Sequence, residues 1–185
     1  MNAAAAPGIR IREWRADPAT LDADIDMLAD VLHAIVYAGA GVSFIVPFSM
    51  DDARAFWRDK VMPGVRARTR RVLVARDGNQ IVGTVQLDLG MMPNQRHRCE
   101  VCKLLVHPSR WRRGIARALM VALERVAREE RRTLLTLDTW TGSSAEHLYR
   151  SLGYTVLGVI PRYARGSTTA QLEAATFMYK ELAAK

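Results

Sequence analysis

The stretch Val106-His107-Pro108-Ser109-Arg110-Trp111-Arg112-Arg113-Gly114-Ile115-Ala116-Arg117 reads as the end of an apolar strand, a basic turn and the entry of a long helix. Upstream, Cys99 to His107 is an apolar strand stopped by Pro108. Downstream, from about Arg112 to Arg131, Ile115, Leu119, Ala122, Leu123 and Val126 recur at helical spacing, with Arg117, Glu124, Arg128 and Glu129 assigned to the outside. A helix start carries N–H groups without intrahelical partners and the positive end of the macrodipole, so this corner suits an anion. Gly114 lets a phosphate approach the main chain with no side chain between them, and Arg110, Arg112, Arg113 and Arg117 add positive charge. The bland alternative is a strand-to-helix corner with a solvated basic surface. A P-loop is excluded because no GxxxxGK[ST] occurs, and Gly39-Ala40-Gly41 lacks the strand context and third glycine of a dinucleotide fingerprint.

Working outward, Ile9 and Ile11 alternate with Arg10 and Arg12 as in a half-buried strand. From Pro18 to about Ala38, Leu21, Ile25, Leu28, Leu32 and Ile35 form the apolar side of a helix, with Asp22, Asp24, Asp26 and Asp30 mostly opposite. An apolar, glycine-containing loop leads to a second short helix from Met50 that stops before Pro63. Arg71 to Arg76 and Gln80 to Leu89 make a hairpin about Asp77-Gly78-Asn79. Leu134 to Thr139 is apolar enough for a central strand covered on both faces. Ser143 and Glu146 fit a capping box for a helix that Gly153 ends, and Tyr154 to Ile160 and Ala174 to Tyr179 close the chain as strands. The order is strand, two helices, three strands, helix, strand, helix, two strands: one α/β domain over residues 1–185, with 1–7 expected to be disordered.

Composition narrows the function. At 49% hydrophobic and 25% charged residues the chain fits a soluble globular domain, and no apolar run reaches the ~20 residues of a membrane span. The alanine-rich start lacks a secretory signal's basic and apolar regions, so a cytoplasmic location is expected. A net charge of +8 favours anionic partners. Nucleic acid is disfavoured, because the basic residues are dispersed and no nucleic-acid-binding motif accompanies them. Cys99 and Cys102 point to opposite faces of a strand and lack a second ligand pair, so no metal is expected.

Two segments resemble the GNAT acetyltransferase superfamily. Gly114 and Ala116 match the end of its Arg/Gln-x-x-Gly-x-Gly/Ala cofactor motif, with Trp111 in place of the usual Arg or Gln. Ala145-Glu146-His147-Leu148-Tyr149 through Gly153-Tyr154 matches its A-x-x-L-Y-x-x-x-G-F/Y helix, with Gly142 where an asparagine often precedes it. Within the superfamily, Cys99 to Ser109, Leu134 to Thr139 and Gly158-Val159-Ile160-Pro161-Arg162-Tyr163 are similar to the tabtoxin-resistance acetyltransferases, which modify a small β-lactam toxin. The resemblance implies a mixed, mostly antiparallel twisted sheet of about seven strands flanked by about four helices.

It also implies acetyl-CoA as co-substrate, held by Leu104, Leu105 and Val106 and by Arg112, Arg113, Gly114, Ile115, Ala116 and Arg117. Tyr149 is then the general acid for the departing thiolate, Glu100 the base, and Asp138 an acceptor binder or partner. Tyr37, Phe44 and Tyr163 are nominated as acceptor wall. The acceptor is expected to be an amine or hydroxyl of a small molecule, such as a toxin or antibiotic. Alternatives are a protein lysine or N-terminal acetyltransferase and a non-catalytic module binding coenzyme A or nucleic acid; a homodimer is compatible with all of these.

Overall fold

The computed structural model describes residues 8–183, so the expectation for residues 1–7 lies outside the described residues. β1 (Ile9–Glu13) turns Ile9 and Ile11 inward by strict alternation. α1 (Leu21–Tyr37) buries Ile25, Leu28, Leu32 and Ile35 as the spacing requires. Asp24, assigned to its polar side, is buried instead, accepting hydrogen bonds from the Trp14 indole N–H at 3.1 Å and from Arg76. A buried carboxylate persists there because both donors are charged or polar partners.

α2 (Met50–Ala55) starts with a full capping box between Ser49 and Asp52. It does not stop before Pro63: a π-helical segment (Phe56–Val61) carries it into α3 (Met62–Arg66). Pro63 sits in the first turn of α3, where a missing N–H costs nothing, and the wider π turn makes room for its ring.

β2 (Arg70–Asp77) and β3 (Gln80–Asp88) form the expected hairpin, with Asp77 opposite Gln80. β4 (Arg98–Val106), α4 (Ile115–Glu129), β5 (Leu134–Trp140) and α5 (Ser144–Ser151) follow, then β6 (Thr155–Arg165) and β7 (Leu172–Glu181). β6 runs past Ile160 and Pro161, absorbing the proline at a register shift between Ile160 and Ala164, which an edge strand tolerates. Tyr163 therefore lies in a strand and not in a loop.

One seven-stranded sheet has the order β1-β2-β3-β4-β5-β7-β6, with every neighbouring pair antiparallel except β4 and β5. Counting the continuous stretch from Met50 to Arg66 as one, four helices flank it, so the expected α/β architecture is observed. α1 and the π-helical segment after α2 cover one face through Leu28, Leu32 and Trp57; α4 and α5 cover the other through Leu119, Leu123 and Tyr149. Glu124 of α4, assigned to the outside, is buried because the Lys180 ammonium grips both its oxygens at 2.7 Å.

Two irregularities shape the centre of the sheet. β4 carries an extra residue relative to β3, where the register moves from Thr84 opposite Leu105 to Gln86 opposite Cys102, and Lys103 takes a φ of +50° there. β5 pairs with β4 only from Arg98–Leu134 to Glu100–Thr136. Beyond Thr136 the two strands part, so β5 is not covered on both faces: Leu135 and Leu137 are buried while Asp138 faces an opening.

Candidate active site

The anion corner is assembled from short-range contacts. His107 caps the turn Pro108–Arg110, its Nδ1 accepting from the Ser109 N–H at 3.2 Å. The Trp111 indole N–H donates to the Val106 carbonyl at 2.7 Å and folds the turn back on the strand end. Gly114 is the N-cap of α4 at φ +72°, a left-handed geometry that suits glycine, and a Cβ there would project into open space. The first helical N–H to find a carbonyl is that of Ala118, on Gly114 at 3.0 Å, leaving those of Ile115, Ala116 and Arg117 for a ligand.

The arginine cluster divides. Arg110 and Arg113 are engaged by Asp77 at 3.3 and 3.4 Å, whereas Arg117 donates only to the Ser151 hydroxyl. Arg112, exposed and at φ +63°, has no carboxylate within 4 Å among the described residues. Two cations are thus uncommitted beside the free amides.

From this corner a cleft of about 900 Å³ runs between β4 and β5, within the range of small-molecule sites. Leu104, Leu105, Val106, Arg112 and Gly114 line it with Ile115, Ala116 and Arg117. Glu100, Asp138 and Tyr149 line it further along. Arg113 is the nominated cofactor residue that does not; it lies against Asp77.

Tyr149 is 6% exposed, its ring 5.6 Å from that of Tyr154. Burial pushes its hydroxyl pKa well above the ordinary phenol value, with the Asp138 charge adding to the effect, so it stays protonated at neutral pH. That is the state a proton donor must start in. α5 is seated by Ser143, whose hydroxyl accepts from the Glu146 N–H at 3.2 Å. The reciprocal half of the expected capping box is displaced by one residue: Glu146 accepts from Gly142 N–H at 2.7 Å, and also from Thr176 and Arg150. Gly142, standing where the superfamily often has asparagine, is therefore itself held by a main-chain bond.

At the other end, the loop from Ala38 to Ser43 borders the cleft. Tyr37 and Phe44 flank that loop without reaching the cavity. The Tyr37 hydroxyl accepts from Phe48 N–H at 3.4 Å, and Phe44 packs on Phe48 and Phe56 with centroids 4.7 and 5.1 Å away. Tyr163 lines a neighbouring chamber of about 150 Å³ with Trp140, Arg165 and Glu173, which shares Gly41, Ser43, Asp138 and Trp140 with the main cleft. The Trp140 indole N–H donates to Glu173 at 3.3 Å, closing the chamber's floor.

Sequence reasoning missed Trp140, Lys103 and Cys102 as cleft residues. Trp140 falls one position past the expected strand end, and the bulge that turns Lys103 into the cavity has no local sequence signal. Cys102 is a free thiol whose pKa burial pushes up to about 12. No cluster of three or more His, Cys, Asp or Glu suited to a metal occurs among the described residues, and no helix among them is long and apolar enough to cross a membrane.

The model of the acetyltransferase (GNAT) family matches residues 35–154. Among solved structures, the chain is similar to yncA from Salmonella typhimurium, assigned as an acetyltransferase and solved with its cofactor acetyl-CoA, at 20% identity over 96% of each chain and a TM-score of 0.72. It is similar to a ribosomal-protein-alanine N-acetyltransferase from Brucella melitensis at 22% identity, covering 94% of this chain and 99% of that one, with a TM-score of 0.73. A protein assigned as a phosphinothricin N-acetyltransferase superposes with a TM-score of 0.74 at 13% identity, covering 95% and 99%. At such identities the likeness establishes the fold.

Proposed function

The chain belongs to the acetyltransferase (GNAT) family, and from that premise we propose that it moves the acetyl group of acetyl-CoA to an amine or hydroxyl of a small molecule by direct transfer in a ternary complex. The observation that carries the reading is the parting of β4 from β5 beyond Glu100 and Thr136, with free helical amides at one end and the buried phenol of Tyr149 lining the cleft.

The residues present fit the cofactor, since a Cβ on Gly114 would stand in open space beside unpaired N–H groups. Ile115, Ala116 and Arg117 hold the pyrophosphate through their amides, with Arg112 and Arg117 balancing its charge. The β4 edge from Leu104 to Val106, left without a partner strand, takes the amide arm as it would take a strand. Acetyl-CoA supplies an activated acetyl group and a thiol leaving group.

Glu100, directly or through water, accepts the proton of the acceptor, and Asp138 holds the acceptor in line. A main-chain N–H near Leu104 to Val106 polarises the thioester carbonyl. The new C–N or C–O bond forms as the C–S bond breaks, and Tyr149 delivers its proton to the sulfur. Cys102 does not serve as an acyl carrier, because a thiol with its pKa pushed up to about 12 offers almost no thiolate at neutral pH.

A small acceptor is favoured over a polypeptide because the acceptor end is walled by Trp140, Tyr163 and the loop from Ala38 to Ser43. The similarity of Cys99 to Ser109 and Gly158 to Tyr163 to the tabtoxin-resistance acetyltransferases favours a toxin or antibiotic. Thiol release from acetyl-CoA, measured against toxins, β-lactam amino-acid analogues, antibiotics, polyamines and peptides, tests the reading. Turnover with small amines or alcohols supports it; turnover with peptides alone assigns a protein acceptor, and absence of calorimetric saturation by acetyl-CoA removes the cofactor assignment.

A further inference from the structure

Lys103 has no part in the steps above, yet the fold delivers it to the acceptor end. The extra residue in β4 puts it at φ +50°, a left-handed conformation that costs a lysine about 1 kcal/mol or more and is usually retained where a site needs it. Its side chain lines the cleft, with Nζ 3.1 Å from the Ser43 hydroxyl and 5.6 Å from the centre of the Phe44 ring. Phe44 thus reaches the chemistry at second hand, by carrying this lysine.

The ammonium is poorly compensated. Several cations sheltered by the fold have carboxylate partners: Arg70 with Asp88, Arg76 with Asp24, Lys180 with Glu124. Lys103 has no carboxylate within 4 Å among the described residues. Burial lowers its pKa, and although Asp138 and Glu100 are near enough to favour the charge, Arg70 acts the other way. An ammonium has three donors, and Ser43 takes one. The remaining donors are left for a ligand in the cleft, which Glu100 and Asp138 also line.

We infer that Lys103 docks an anionic group of the acceptor, a carboxylate, so that the acceptor class is a small zwitterion whose reacting amine turns towards Glu100 and Asp138. This rests on the acetyltransferase reading above. The inward cation and the two carboxylates sort the ends of an amino acid by charge, and the side chamber beside Tyr163 and Trp140 receives its side chain. Simple monoamines and polyamines would bring Lys103 no anionic partner, and a second ammonium would meet it in repulsion.

The test uses the full-length protein with saturating acetyl-CoA, and matched acceptors: α-amino acids and β-lactam amino-acid analogues, each beside its primary carboxamide. For the best pair, kcat/KM for the acid exceeds that for the amide by about 10- to 100-fold, the worth of a charge-assisted hydrogen bond in a sheltered site. In Lys103→Met that ratio falls to about 1, chiefly through KM, and Lys103→Arg restores part of it. A ratio is blind to the fraction of variant that is folded, so misfolding does not mimic the result. Preference for amides, monoamines or polyamines, a ratio unchanged in Lys103→Met, or binding of acetyl-CoA with no acid acetylated, each overturns the zwitterion. Failure of the wild-type protein to bind acetyl-CoA takes down the parent reading as well.

Discussion

At one end of the cleft the ligand-facing groups are main-chain amides of Ile115, Ala116 and Arg117 and the unpaired edge of β4; at the other they are side chains of Glu100, Lys103, Asp138, Trp140 and Tyr163. The first set is contiguous in sequence, and its geometry follows from a strand end, a capped turn and a helix start. The second comes from β4, β5 and β6, together with the loop after α1, and depends on how three strands and a loop meet. An end built from backbone recognises what is constant in a cofactor, whereas one built from dispersed side chains can specialise for an acceptor.

The sharpest way to break this comparison is at the junction of the two ends. Tyr149→Phe is expected to lower kcat on the order of a hundredfold while the acetyl-CoA dissociation constant stays within about twofold. An unchanged kcat in steady-state assays would remove Tyr149 from proton delivery. Next in size, Gly114→Asp is expected to weaken acetyl-CoA binding by about 10- to 100-fold, because it adds a side chain and a negative charge at φ +72° beside the free amides. Calorimetry showing wild-type affinity would move the pyrophosphate elsewhere.

A smaller effect concerns the seating of α5, which carries Tyr149. The Glu146 carboxylate pKa is held below its ordinary value first by the Gly142 N–H, then by Arg150 and Thr176, against opposing desolvation. Because the folded pKa lies below the unfolded one, this stabilisation is complete above about pH 4.3 and is lost as pH falls through the folded value. Glu146→Gln should therefore lower Tm by a few degrees at pH 7, and the difference should shrink as the medium is acidified below pH 4. A gap in Tm independent of pH would show that Glu146 acts through packing alone. The smallest change is expected for Cys102→Ala, with kcat/KM within about twofold of wild type and initial-rate lines that intersect. Parallel lines that depend on Cys102 would replace the ternary complex with an acetyl-thioester route.

Most of the architecture was readable from periodicity. Ile25, Leu28 and Leu32 announce α1, Asp77-Gly78-Asn79 announces the hairpin, and the motifs around Gly114 and Tyr149 are local strings whose neighbours in sequence are their neighbours in space. The misses arise where the surrounding structure overrules a residue's usual rule. Pro63 fails to stop a helix because a π turn precedes it, Pro161 fails to stop β6 because the strand lies at the sheet's edge, and Asp24 and Glu124 go inside because Arg76 and Lys180 meet them there. Tyr37 and Phe44 were nominated as aromatics in an apolar loop, yet the Tyr37 ring packs on His33 and the Phe44 ring on Phe48 and Phe56, and the loop presents Gly41 and Ser43 to the cavity.

The order of residues alone determined a strand leading through a basic turn into an amphipathic helix, and pointed from it to an anion site, because main-chain donors at a helix start require nothing from the rest of the molecule. Whether β4 and β5 would part beyond Thr136, and which charges would look into the gap, was settled by folding. A one-residue slip of β4 against β3 rotates Lys103 towards Ser43, and a slip of that kind is a property of two strands together, written in neither one.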